Sequence, residues 1–131
     1  MFKKALVVAA LTAPFLLAPV FAQQPQVQRK VMLPPTDLPA PGYQSAMVLV
    51  EIPAGSREGR HTHPGEVFGY VLEGSLTLDH EGKPTANYKA GDVFHIDAGK
   101  IHEGINNGSS PVKAIATFVV EKGKPLASPA P

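Results

Sequence analysis

Short runs of β-prone residues, each ended by a turn rich in glycine or proline, follow one another through residues 43–120. No segment repeats apolar residues at the spacing of a helix, and the 14 prolines and 12 glycines of this 131-residue chain favour many turns. The predicted strands span residues 44–51, 66–73, 75–80, 85–89, 93–96, 101–105 and 112–120. We therefore predict an all-β fold, either a sandwich or a small barrel.

The first 22 residues have the parts of a secretory signal peptide. Lys3 and Lys4 form a positively charged start, and residues 5–17 form a short apolar stretch. Val20 and Ala22 are small residues at the positions that a signal peptidase recognises. We expect cleavage near Ala22 and a mature protein that is periplasmic or secreted. The alternative is an uncleaved anchor helix, for which the apolar stretch is short and interrupted by proline.

Proline-rich segments flank the predicted body. Residues 23–42 are rich in Gln and Pro, and they could lie as an arm over the body or across a partner subunit. Residues 121–131 form a similar polar, Pro-rich tail. We therefore divide the chain into a signal peptide (1–22), an N-terminal arm (23–42), a β domain (43–120) and a C-terminal tail (121–131).

Charge and composition exclude several classes of function. Loss of residues 1–22 removes two lysines and no acid, which changes the formal net charge from +1 to about −1. No run of basic and aromatic residues suggests nucleic acid, so we expect neither nucleic acid nor a membrane as a partner. The chain has no cysteine, which excludes thiolate ligands, a cysteine nucleophile and disulfides. It also lacks a Gly-rich phosphate loop and a Gly-x-Ser-x-Gly elbow.

Three histidines are the candidate metal ligands. His61 and His63 are two residues apart, so both imidazoles project from one face of an extended strand. His102 lies in a distant segment rich in glycine and β-branched residues. Neutral imidazole suits Fe, Mn, Ni, Cu and Zn, so we predict one divalent transition metal on these side chains. The alternative is a pocket without a metal, in which three converging imidazoles would need hydrogen bonds instead.

The segments around these histidines resemble the two motifs of the cupin superfamily. The matching positions are Gly55, His61, His63 and Gly74 in the first motif, and Gly91, Gly99, His102 and Asn106 in the second. Asp97 stands where the family has a proline. The resemblance covers residues 44–120 and implies a double-stranded β-helix, or cupin jelly roll, with one metal at the open end of the barrel. It also implies a homodimer.

The fourth ligand of many cupins, a glutamate, falls at Val67 in this chain. Positions 61, 63, 65 and 67 share one face of an unbroken strand, so Val67 would face the metal and Glu66 would point away. Pro64 and Gly65 interrupt the strand, and a bulge there could turn Glu66 inward. We expect three histidines as the protein ligands, with Glu66 as the alternative fourth ligand.

Other side chains near the motifs are candidates for the pocket. His95 could hydrogen-bond a metal ligand or the substrate, although a histidine that is only part of the wall is the alternative. Tyr70 alternates with Phe68 and Leu72, which is more typical of packing than of a catalytic phenol. We expect His80 to be solvated in a hairpin.

Two functions fit this pattern. The first is a mononuclear non-haem metal oxidoreductase, dioxygenase-like, that acts with O₂ on a small organic molecule in a pocket walled by Phe94, Val48, Val50 and Val71. Three neutral ligands leave the metal its full positive charge, which favours an anionic or bidentate substrate. The second is an exported cupin that binds or senses a metal or small ligand without chemistry, which the missing glutamate favours.

Overall fold

A computed structural model describes residues 25–131, which form ten strands and no helix. The strands are β1 Gln28–Asp37, β2 Tyr43–Ile52, β3 His61–Thr62, β4 Gly65–Glu73, β5 Ser75–His80, β6 Ala86–Lys89, β7 Val93–Ile96, β8 His102–Ile105, β9 Val112–Glu121 and β10 Ser128–Pro129. The all-β prediction is confirmed. No helix within the described range could span a membrane. The predicted signal peptide (1–22) lies outside the described residues, as do the first two residues of the arm.

The strands form two five-stranded antiparallel sheets. The first has the order β1-β2-β9-β4-β7 and the second the order β10-β3-β8-β5-β6. The strand β9 alternates buried and half-buried residues along its whole length, as a strand with one face on the core should. Buried side chains from both sheets pack between them in two clusters, one with Val67, Leu78 and Phe118 and the other around Val71. The inner faces of the sheets therefore meet in an apolar interior.

Both flanking segments belong to the sheets. The strand β1 pairs with β2 from Gln28 opposite Glu51 to Asp37 opposite Gln44, and β10 pairs Ser128 with Thr62. Both are edge strands, where a proline is tolerated because only one side needs main-chain hydrogen bonds. The ordered sheets thus extend beyond residues 43–120 at both ends.

Candidate metal centre

Pairing of two short strands brings the three predicted histidine ligands together. His61 on β3 lies directly opposite His102 at the start of β8, and His63 follows β3 immediately. The ring centroids are 4.3 Å apart for His61 and His102, and 4.8 Å apart for each of the other two pairs. One ligand atom from each side chain lies within 4.8 Å of the other two. The three imidazoles therefore converge on one point.

Each imidazole is held in the same tautomer by a main-chain carbonyl. The Nδ1 atom of His61 lies 2.7 Å from the oxygen of Gly59, and that of His102 lies 3.0 Å from the oxygen of Lys100. The Nδ1 atom of His63 lies 2.7 Å from the oxygen of Leu126, in the tail. A carbonyl can only accept, so each Nδ1 carries the proton and donates it. In the neutral form of each ring Nε2 is consequently the unprotonated nitrogen, which is the atom that ligates metal ions.

Burial keeps two of these imidazoles neutral. Desolvation is the main cause that lowers the pKa of His63 from 6.5 to about 4, and the neighbouring His61 lowers it further. Desolvation likewise lowers the pKa of His102 from 6.5 to about 4. The carbonyl bonds act in the opposite direction but are weaker. Both side chains are therefore neutral at pH 7 and available as ligands.

The triad forms part of the wall of a cavity of about 450 Å³ between the sheets. The side chains of Val48, Val50 and Phe94 line the cavity, as the sequence predicted. Val71 does not line it and instead lies fully buried in the core. The ring of Phe94 lies where a β-carbon on Gly69 would be, so a glycine on β4 makes room for this wall. The cavity is mostly apolar, as sites for small organic ligands usually are.

Comparison with known proteins decides the family. A family model described as a cupin domain matches residues 48–120, more than half of the chain. The chain belongs to the cupin family.

One similar sequence and two similar solved structures accompany this match. An oxalate-binding protein of Thermotoga maritima is 33% identical over 72 residues, which are 54% of this chain and 59% of that relative. A Klebsiella pneumoniae protein with a double-stranded β-helix domain has a TM-score of 0.67 at 21% identity, with 84% of this chain and 89% of that chain covered. The oxalate decarboxylase of Bacillus subtilis, in a structure concerned with its Mn(II) centres, has a TM-score of 0.59 at 23% identity. That match covers 65% of this chain and 23% of the decarboxylase. The cupin jelly roll is therefore confirmed.

The alternative ligand Glu66 does not reach the triad of this cupin. The register between β4 and β9 runs without a shift from Gly65 to Val71, so the bulge that would turn Glu66 inward does not form. Val67 faces the cavity, and the carboxylate of Glu66 instead forms a short hydrogen bond with His95 on the outer face of the sheet. Strand parity thus places a valine where many cupins have their glutamate.

Two of the three predicted pocket residues also lie on the outer face. In β7, Phe94 and Ile96 line the cavity, so the alternation of the strand turns His95 outward, where its ring stacks on Phe68 at 5.1 Å. Tyr70 is 44% exposed on the same outer side of β4. His95 and Tyr70 therefore do not border the cavity, because only one of two adjacent strand residues can face it.

His80 was expected to be solvated, and this expectation is wrong. It is 4% exposed and continues the inward alternation of Leu76 and Leu78 on β5. Its Nδ1 donates to the oxygen of Glu81 at 2.8 Å, and its Nε2 accepts the N–H of Asp97 at 3.2 Å. The alternation of inward and outward residues along β5 was the sequence signal that could have predicted a buried ring for His80.

Charged side chains at the cavity were also missed by sequence reasoning. Arg29, Glu58 and Arg60 all line it alongside the triad. Arg29 comes from the N-terminal arm, and its Nη2 atom lies 3.1 Å from Oε1 of Glu58. The cavity thus combines apolar walls with a positively charged side near the histidines.

Proposed function

We propose that this cupin holds one divalent transition-metal ion on His61, His63 and His102 and oxidises a small organic anion beside it with O₂. The observation that carries the proposal is the convergence of three imidazoles, each with its Nδ1 bonded to a main-chain carbonyl, in the wall of an apolar cavity. This donor set suits Fe, Mn, Ni, Cu and Zn. The protein would then be a mononuclear non-haem metal oxidoreductase of the dioxygenase-like kind.

The donor set also favours an anionic ligand. Three neutral imidazoles leave the charge of a divalent ion uncompensated, and Val67 supplies no carboxylate to reduce it. When bound, such an ion would act as a Lewis acid and, if redox-active, would support reaction with O₂. The chain itself contributes the apolar walls, which exclude water, and Arg29 and Arg60, whose charge attracts an anion.

Similar proteins support a small carboxylic acid as the ligand. One relative is named an oxalate-binding protein and another similar fold is an oxalate decarboxylase. A cavity of about 450 Å³ has room for acids of that size. Oxygen uptake by metal-loaded protein with a panel of short organic acids, thiols, diones and catechol-like compounds tests the proposal. We expect uptake with at least one compound, and its loss in His102→Ala.

A second candidate function is binding without chemistry. Glu58 is the only carboxylate among the described cavity residues, and Arg29 and the N–H of Gly104 both engage it. Among residues 25–131, this arrangement leaves no free carboxylate in the cavity wall to act as a general base. Binding of an organic acid without oxygen uptake across the whole panel would favour this function over the oxidoreductase.

We also propose that the protein is exported and forms a homodimer. Export is supported by the signal-peptide pattern of residues 1–22, and it predicts a periplasmic or secreted protein that begins near Gln23. A dimer is supported by exposed apolar side chains on the outer face of the first sheet, among them Phe68 and Tyr70. Mass spectrometry of the extracytoplasmic protein tests export. Light scattering of the purified protein tests the dimer, and a monomer at micromolar concentration would contradict it.

A further inference from the structure

The arm strand β1 brings a cation to the metal cavity. Arg29 on β1 lies directly opposite Val50 on β2, and side chains opposite each other in an antiparallel pair share a face. Because Val50 lines the cavity, Arg29 projects toward it as well. Lys30, the next residue, lies opposite Leu49 and is turned to the other face. Only one of these two neighbouring cations can therefore serve the site.

A nearly buried carboxylate holds the guanidinium of Arg29 in place. The side chain of Glu58 is 14% exposed, and its Oε1 lies 3.1 Å from Nη2 of Arg29. Its other oxygen, Oε2, accepts the N–H of Gly104 at 3.2 Å. A β-carbon on Gly104 would lie 2.5 Å from Oε2, so the glycine makes room for this carboxylate. The position of Arg29 is thus fixed through Glu58 to the backbone of β8.

Arg29 keeps donors free for a ligand. A guanidinium carries five N–H groups, and the bond to Glu58 is the one hydrogen bond that the Arg29 side chain donates within residues 25–131. Arg29 also lines the same cavity as His61, His63 and His102. The remaining donors and the metal ligands therefore face one cavity.

From this geometry we infer that Arg29 is the specificity-determining residue for the ligand, and that it binds a carboxylate of a short organic acid whose other oxygen atoms face His61, His63 and His102. The inference rests on the proposed function and names its ligand contact. A planar guanidinium can bind a carboxylate through two parallel hydrogen bonds, which a lysine cannot do. Glu58 acts as the positioning residue of this arginine.

Calorimetric titration of Mn²⁺-loaded protein with oxalate tests the inference. We expect Arg29→Gln to weaken oxalate binding by about ten-fold or more. Arg29→Lys should retain part of the affinity, because it keeps the positive charge but lacks the paired N–H groups of the guanidinium. Lys30→Gln is the matched control, with the same charge change on the same strand but the opposite face, and it should stay within about two-fold of the wild type. Neutral oxamide should not distinguish Arg29→Gln from the wild type.

Separate readings distinguish the failure of this inference from that of the proposed function. Loss of a nearby positive charge should leave Mn²⁺ affinity unchanged or higher in Arg29→Gln. Thermal unfolding of this variant checks that it is folded at the temperature of the titration. Equal oxalate affinity in wild type and Arg29→Gln would overturn the role of Arg29 and leave the metal site standing. Failure of the wild type to bind Mn²⁺, or to bind oxalate once loaded, would overturn the inference together with the function on which it rests.

Discussion

The Nδ1 atom of His63 lies 2.7 Å from the carbonyl oxygen of Leu126, so the C-terminal tail fixes the orientation of one candidate metal ligand. Pairing of β10 with β3 holds the tail there, opposite His61 and Thr62. The segment that looks least structured in the sequence is thus part of the site. Hydrogen bonds to the second nitrogen of a ligating histidine set its tautomer and raise its basicity.

Deletion of residues 125–131 should therefore weaken metal binding. The loss of the Leu126 carbonyl frees the ring of His63, and partners of this kind are worth about ten- to a hundred-fold in metal affinity. Leu126→Ala is the control, because it removes the apolar side chain and keeps the carbonyl. Metal titration of both variants checks the prediction. Wild-type affinity in the truncated protein would contradict it.

Acid should destabilise the metal-free protein. His63 and His102 have pKa values of about 4 when folded and of 6.5 when unfolded, so the unfolded state binds more protons between these values. Stability is therefore full above about pH 6.5, falls as the pH drops toward 4, and changes little through these groups below that. The combined effect is on the order of a few kcal/mol.

Urea unfolding of chelator-treated protein at several pH values measures this effect. His102→Gln removes one of the two buried titrating groups, so its stability should fall less steeply over the same pH interval. Equal slopes for the wild type and His102→Gln would mean that the ring of His102 titrates near its ordinary pKa.

Glu66→Gln should leave metal affinity unchanged, because the carboxylate of Glu66 lies on the outer face with His95. Val67→Glu, in contrast, places a carboxylate on the cavity side of β4, in the wall that the triad shares. We expect it to tighten metal binding and to weaken the binding of anions by lowering the charge of the site. Metal and oxalate titrations of the two variants report on both effects. A loss of metal affinity in Glu66→Gln would place that carboxylate at the metal after all.

Gly65 and Gly69 should differ in their tolerance of alanine. A β-carbon at Gly65 would collide with the main-chain oxygen of Val119, whereas one at Gly69 would collide with the ring of Phe94. A ring can shift and a backbone between two paired strands cannot. We expect Gly65→Ala to cost about 2 kcal/mol or more and Gly69→Ala to cost less, as thermal unfolding would show. The opposite order would contradict this packing.

The sequence alone was enough to predict the three histidines of the triad, but it was not enough to predict which residues surround them. His61, His63 and His102 could be predicted because the spacing of candidate ligands and the order of the two motifs can be read directly from the residue types in the sequence. His95 and Phe94 are adjacent on one strand, and the sequence alone does not say which of the two faces inward.

The charged and main-chain contacts have a different cause. The position of Arg29 at the cavity depends on the register between β1 and β2. The sequence of the proline-rich segment does not reveal that register. No sequence pattern marks the main-chain carbonyl of Leu126 as the partner of His63, since every residue carries a main-chain carbonyl.

Elemental analysis of protein purified without added metal or chelator tests the metal centre most directly. The wild type should carry about one transition-metal ion per chain. His61→Ala should carry less than about a tenth of that amount. Equal metal content in the wild type and His61→Ala would contradict the existence of a metal site on this triad.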